Sequence, residues 1–279
     1  MAAKRKNKYK AILLLSIGSL IVIGFAGFFI FRECITTTSV KEVDTALEAN
    51  RKAKLLSVYG EQIKAIRDNR IWFRDGSTIV YDTRKRHPNY LDSLNNADVQ
   101  DQFAQSYTAG ETTSLPLRNH DPGRLRCDTF FKKMYGATPE AVQANLEEIV
   151  WCPKMVGQTI RINKRNGVAE AVKKISAELD GDTTLKPFLS RIGGSFTWRK
   201  IAGTNRNSTH SYGITIDINT SQSHYWQWDC KCTDEYVSLT YRNKIPWKIV
   251  KVFEKYGFVW GGKWYHYDTM HFEYRPELL

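Results

Sequence analysis

The chain has 279 residues, 42% of them hydrophobic and 25% charged, a balance that supports one sizeable core and excludes a disordered tail. Its formal net charge is +12, and removing Lys4, Arg5, Lys6, Lys8 and Lys10 leaves +7 for everything after them. Such a basic body suits an anionic polymer or a membrane surface, and no zinc-finger, RNA-binding or helix-turn-helix signature points to nucleic acid.

From Ala11 to Phe31 the segment "AILLLSIGSLIVIGFAGFFIF" runs without a charge, the length of a transmembrane helix. The run is longer than the apolar part of a secretory signal, and "RECITTTS" after it offers no small-x-small cleavage site. An uncleaved signal-anchor is therefore expected, the alternative being a signal peptide cut elsewhere. The basic flank predicts residues 1–10 as a cytoplasmic tail, 11–31 as a single membrane span, and the remainder on the exported side, periplasmic or extracellular.

Val43, Ala46, Leu47, Leu55, Tyr59, Ile63 and Ile66 recur at helical spacing, predicting a helix from about Val43 to Ile66 within a stalk over 32–70. An extension over 71–125 follows. There "RIWFRDGSTIVYD" sets Asp75-Gly76 between two β-rich runs, a hairpin signal, and the chain then turns polar and aperiodic up to "RNHDPGRLR".

The body proper is assigned to 126–279. "TPEAVQANLEEIVW" predicts a helix with Thr138 as N-cap, Pro139 at the first position and Val142, Leu146, Ile149 and Val150 as its apolar stripe. "NGVAEAVKKISAELD" and "IPWKIVKVFEKYG", the latter bounded by Pro246 and Gly257, predict two more. "GITIDIN" and "TMHFEY" alternate with period two, putting Ile214, Ile216 and Ile218, and then Met270, Phe272 and Tyr274, on one buried face each. The fold class expected is α+β, with helices packed on a small antiparallel sheet.

Of five cysteines, Cys34 lies beside the span. Cys127, Cys152, Cys230 and Cys232 allow three pairings that sequence does not choose among; Cys230 and Cys232 lie too close for an easy mutual bridge and make only a weak zinc signal, and a Cys127–Cys152 bridge is expected.

In the two strands the faces opposite the apolar residues carry Thr215, Asp217 and Asn219, and His271 and Glu273. His210 precedes the first strand, and Asp268 lies three residues before His271. If the strands are neighbours, His210, Asp217 and His271 converge. Two imidazoles and a carboxylate suit Zn²⁺ with a fourth position open to water, although either histidine taken alone reads better as an ordinary polar residue of a half-exposed sheet. Asp268 is the best-placed carboxylate to accept and return a proton, with Glu273 second or else orienting a ligand histidine. His87, His120, His224 and His266 lie in less suitable contexts.

"STHSYGITID" and "DTMHFE", in that order, resemble the motifs S-x-H-x-x-G-x-A-x-D and D-x-x-H-F-E of the VanY-type D-alanyl-D-alanine carboxypeptidase and L-alanyl-D-glutamate endopeptidase family, in its endolysin-like branch. The likeness is strongest from about Arg126 to Leu279. It implies a Hedgehog/D-Ala-D-Ala-peptidase-like fold, one catalytic Zn²⁺ on His210, Asp217 and His271, Asp268 as general base, and peptidoglycan stem peptides as partners. It also implies an arginine before the first histidine that steadies the oxyanion, Arg199 or, failing that, Arg206. Ser208 and Thr215 are the remaining second-layer or substrate-binding candidates; Thr215 stands where the family usually has alanine and is expected to add a hydrogen bond near the metal. The rival expectations are a non-hydrolytic cell-wall-binding module of the same fold, and an Fe(II) oxygenase with a two-histidine, one-carboxylate site.

Overall fold

The computed structural model describes residues 44–112 and 114–279. The expected basic tail and membrane span lie outside the described residues, among which no helix is long and apolar enough to cross a membrane. The chain divides into two compact units, Met1–Ala53 and Lys54–Leu279. Residues 44–59 are helical (α1). In the first unit, Glu48 pairs with Lys52 one turn on, at 3.3 Å.

In the second unit Leu55 and Tyr59 of α1 are fully buried. The helix stops there rather than at Ile66. Gly60 ends it, and β1 (Ile63–Arg67), β2 (Arg70–Phe73) and β3 (Thr78–Val80) form an antiparallel sheet in that order. Residues 54–67 of the expected stalk therefore belong to the compact body. The predicted hairpin is present, with Ile71 opposite Ile79, Gly76 at φ 85° and the Asp75 carboxylate accepting from the Ser77 amide.

Helices α2 (Tyr90–Asn96), α3 (Asp128–Tyr135) and α4 (Pro139–Gln143) follow. Thr138 caps α4 as expected, its hydroxyl accepting from the Ala141 amide. The helix is shorter than the apolar stripe suggested, because Leu146–Trp151 is a strand, β4, paired with β5 (Gln158–Asn163). In β4 Ile149 and Trp151 are buried while Val150 between them is half exposed, so period two prevails over the helical reading of the same residues. The other two predicted helices are α5 (Val168–Leu179) and, after α6 (Lys186–Leu189), α8 (Trp247–Lys255).

The third sheet has β8 (His271–Tyr274) at its centre, antiparallel to both β6 (Thr215–Asp217) and β7 (Phe258–Trp260). Its inner face packs on α8, with Phe272 stacked on Phe253 at 3.9 Å between ring centroids. The architecture is thus α+β, but with three small antiparallel sheets among the described residues rather than a single sheet. A short helix, α7 (Trp226–Cys230), organises the segment between β6 and α8 that has no readable sequence period.

Candidate metal centre

His210 sits in a 3₁₀ turn, Thr209–Tyr212, that ends at Gly213 with φ 65°. A Cβ there would lie 2.7 Å from Leu146 Cδ2 and 3.2 Å from the Asn163 amide, which itself donates to the Gly213 carbonyl at 2.8 Å. Glycine lets the chain turn from the histidine directly into β6. Gly213→Ala is accordingly expected to lose about 1–3 kcal/mol of stability from left-handed strain and crowding, read as a fall in thermal midpoint.

The two strands are neighbours, and the register sets Asp217 opposite His271. On its other edge Asp217 exchanges backbone bonds with Gly193 and Gly194, which pins the strand from both sides. Asp217 then spans the two imidazoles: Oδ2 is 3.0 Å from His210 Nε2 and Oδ1 is 3.1 Å from His271 Nδ1. One ligand atom from each of the three residues lies within 4.8 Å of the others.

The remaining ring nitrogens are already engaged. His210 Nδ1 lies 3.3 Å from the Ser195 carbonyl and His271 Nε2 lies 3.5 Å from a Glu273 carboxylate oxygen, both pure acceptors, so each of those nitrogens carries the proton. In the neutral rings the nitrogens aimed at Asp217 are then lone pairs confronting a carboxylate, an arrangement that repels unless a cation lies between them. A proton on a ring relieves the same conflict, and the electrostatics show that pull toward positive charge. Burial opposes charge on Asp217, yet His210 and His271 hold it well below the usual carboxylate range. Burial alone would lower His271, but Asp217 and Glu273 raise it to about 10. This donor set fits a divalent ion of the Zn²⁺ type.

Asp268 closes the same cleft, which has a volume of about 130 Å³. Burial first, and then the Asp217 charge, raise its carboxyl to about 7, and among the described residues its Oδ1 has no hydrogen-bond partner. A backbone bridge to Tyr225 fixes the turn that carries it.

Both candidate arginines line the cleft. Arg199 is exposed, and among the described residues only its backbone is engaged, with Ser211 and Ser208. Arg206 is half-buried with Nε unpartnered, and burial together with the neighbouring Arg126 and Arg124 lowers its guanidinium from the ordinary value. It is the better-placed cation of the two. Arg124, Arg126, Tyr225, Trp226 and Trp264 also line it, none of them singled out by sequence, as does His266, which sequence had set aside. The only signal was the pair of arginines in "GRLR", within a stretch that has no period.

Glu273 occupies the supporting layer. It is fully buried, 3.1 Å from Arg126 and 3.2 Å from Arg275, besides its contact with His271. Burial works against its charge, yet Arg126 first and then His271 and Arg275 bring it down to about 2. Arg126 is nonetheless lowered from its ordinary value, because burial and two neighbouring guanidiniums outweigh its share of that one carboxylate. Ser208 lines the cleft. Thr215 does not add the expected hydrogen bond: it is fully buried opposite Glu273, whose oxygens are taken, and its hydroxyl has no partner. The face shared by Asp217 and Glu273 is therefore largely enclosed, not open as the alternation alone suggested.

His266 also lines the cleft, but both its nitrogens are committed, to the Asp121 carboxylate at 2.6 Å and the Glu235 carbonyl at 2.9 Å. His87 is held between Asp92 and Asp101. The cysteine expectation is overturned: Cys230 and Cys232 are joined, and Cys127 and Cys152 are free. Lys231 between the pair adopts a left-handed conformation at φ 55°, which brings the two Cα atoms to 5.2 Å, inside the range a disulfide spans.

Among known protein families, residues 202–274 match the model described as D-alanyl-D-alanine carboxypeptidase. The matched segment contains His210, Asp217, Asp268 and His271, together with Arg206 but not Arg199. No curated protein and no solved structure matches the chain.

Proposed function

We propose that this chain is a zinc-dependent peptidase of the peptidoglycan stem peptides, acting as a D,D-carboxypeptidase or an L-alanyl-D-glutamate endopeptidase. The observation that carries the reading is the carboxylate of Asp217 held 3.0 and 3.1 Å from two imidazoles whose other nitrogens are already committed, with the unpartnered Asp268 in the same cleft. The match of residues 202–274 to a carboxypeptidase family supports it independently.

His210, Asp217 and His271 would hold the ion, which supplies an acidified water and polarises the scissile carbonyl. Asp268 takes the proton from the attacking water and delivers it to the leaving amine nitrogen. Arg206, with Arg199 at the rim, offsets the charge that develops on the carbonyl oxygen and attracts the acidic peptide. Trp226 and Trp264 restrict water in the cleft. A membrane anchor over residues 11–31, with the peptidase on the exported side, places the site beside its polymer.

Metal removal tests the reading. Purified protein dialysed against a chelator is expected to lose hydrolysis of muropeptides, followed by mass spectrometry, and to regain it with one equivalent of Zn²⁺. Unchanged cleavage after the metal is gone would refute it, and iron in the freshly isolated protein would favour the oxygenase instead.

A further inference from the structure

A second cleft, of about 390 Å³, shares two walls with the metal cleft. The segment 116–126 gives His120 and Pro122 to the one and Arg124 and Arg126 to the other. Likewise 261–268 gives Gly262 and Lys263 to the second cleft and Trp264, His266 and Asp268 to the first.

The two differ in charge. Four arginines line the metal cleft. Among the described residues that line the second cleft the only cationic side chain is Lys263, which is paired with Glu254 and also donates to the Thr108 and Gly110 carbonyls at 2.7 Å each. No carboxylate is among the described residues that line it.

Its surface is aromatic and polar at once. Trp247, half-buried, stands edge-on to Trp260 at 5.4 Å, and Tyr241 stands edge-on to Tyr267 at 5.4 Å. The Ser106 and Thr108 hydroxyls and the His120 ring line the same space and, among the described residues, make no hydrogen bond. An aromatic wall faced by uncommitted neutral donors and acceptors matches a pyranose ring, which has apolar C–H faces and polar substituents at its edge. An acidic peptide would find only the Lys263 ammonium there, already paired with Glu254.

We propose that the second cleft binds neutral N-acetylhexosamine units of a glycan strand while the arginine-lined metal cleft takes the acidic peptide attached to it. This rests on the peptidoglycan reading above. The two chemistries of one polymer are thereby sorted across a common wall.

Titration of the purified full chain with chitotetraose, a neutral N-acetylglucosamine tetramer without peptide, tests the assignment through binding heat and tryptophan fluorescence. Wild type is expected to bind it. Trp247→Ala and, at the exposed rim where folding is not at stake, Thr108→Arg are each expected to weaken binding by about tenfold or more. Neither variant changes kcat/KM on a soluble stem pentapeptide, whereas both raise KM on intact peptidoglycan. The proposal is overturned if wild type hydrolyses the pentapeptide but does not bind chitotetraose, if both variants bind it like wild type, or if the pentapeptide displaces it. Chitotetraose binding that responds to the variants in a protein with no peptidase activity would uphold this cleft and remove the proposed function instead.

Discussion

Asp268→Asn is expected to lower hydrolysis of stem peptides by about 10²–10⁴-fold while leaving one equivalent of metal bound. The carboxylate is not among the three groups that converge on the ion site, so its loss removes the proton carrier and spares the ligands. Asparagine is nearly isosteric and keeps the backbone bridge to Tyr225, so the turn is expected to hold its shape. Steady-state kinetics beside metal analysis separates this from collapse of the site. Activity within a few-fold of wild type would remove Asp268 from the mechanism, and loss of metal along with activity would make it a ligand or a structural prop.

Glu273→Ala is expected to cost about 3–5 kcal/mol of stability, the penalty for stripping a buried carboxylate from the cations it balances. Arg126, Arg275 and His271 all converge on it, and Arg275 is fully buried, so no water replaces the lost charge. Thermal denaturation reads this as a midpoint lowered by about 10 °C. Because Glu273 also fixes which nitrogen of His271 carries the proton, metal affinity is expected to fall by about 10–100-fold.

The same carboxylate predicts an acid response. Its folded-state value, lowered to about 2, lies below the unfolded value of about 4.3. Its contribution is therefore present above that unfolded value and is lost as pH falls toward 2. The alanine variant should lack this component. An unchanged midpoint and metal affinity in that variant would show that Glu273 does not support the site.

Local pattern located the candidate ligands because each lies within, or just before, a segment whose period is strong. Alternating isoleucines around Asp217 and the Met270, Phe272, Tyr274 alternation around His271 identify strands without reference to the rest of the chain. The helical stripes of α5 and α8 were legible for the same reason, since a single apolar face can be read from its own residues. Where two periods compete, local reading fails. Val142, Leu146, Ile149 and Val150 fit a helix, yet pairing with β5 makes the second half a strand. Ile63 and Ile66 continued the pattern of α1, yet pairing with β2 claims them.

The sequence alone determined which residue types stand ready for metal chemistry and in what order: a histidine before a strand, an aspartate within it, and an aspartate and a histidine at the start of another. Tertiary structure alone decided that Asp217 faces His271 across 54 residues of chain, that Arg126 reaches Glu273 across 147, and that Arg206 rather than Arg199 is enclosed beside them. Periodicity encodes only which face of an element is buried, whereas register, ring tautomer and the sharing of one carboxylate by several cations arise when distant segments exclude water from the same small volume.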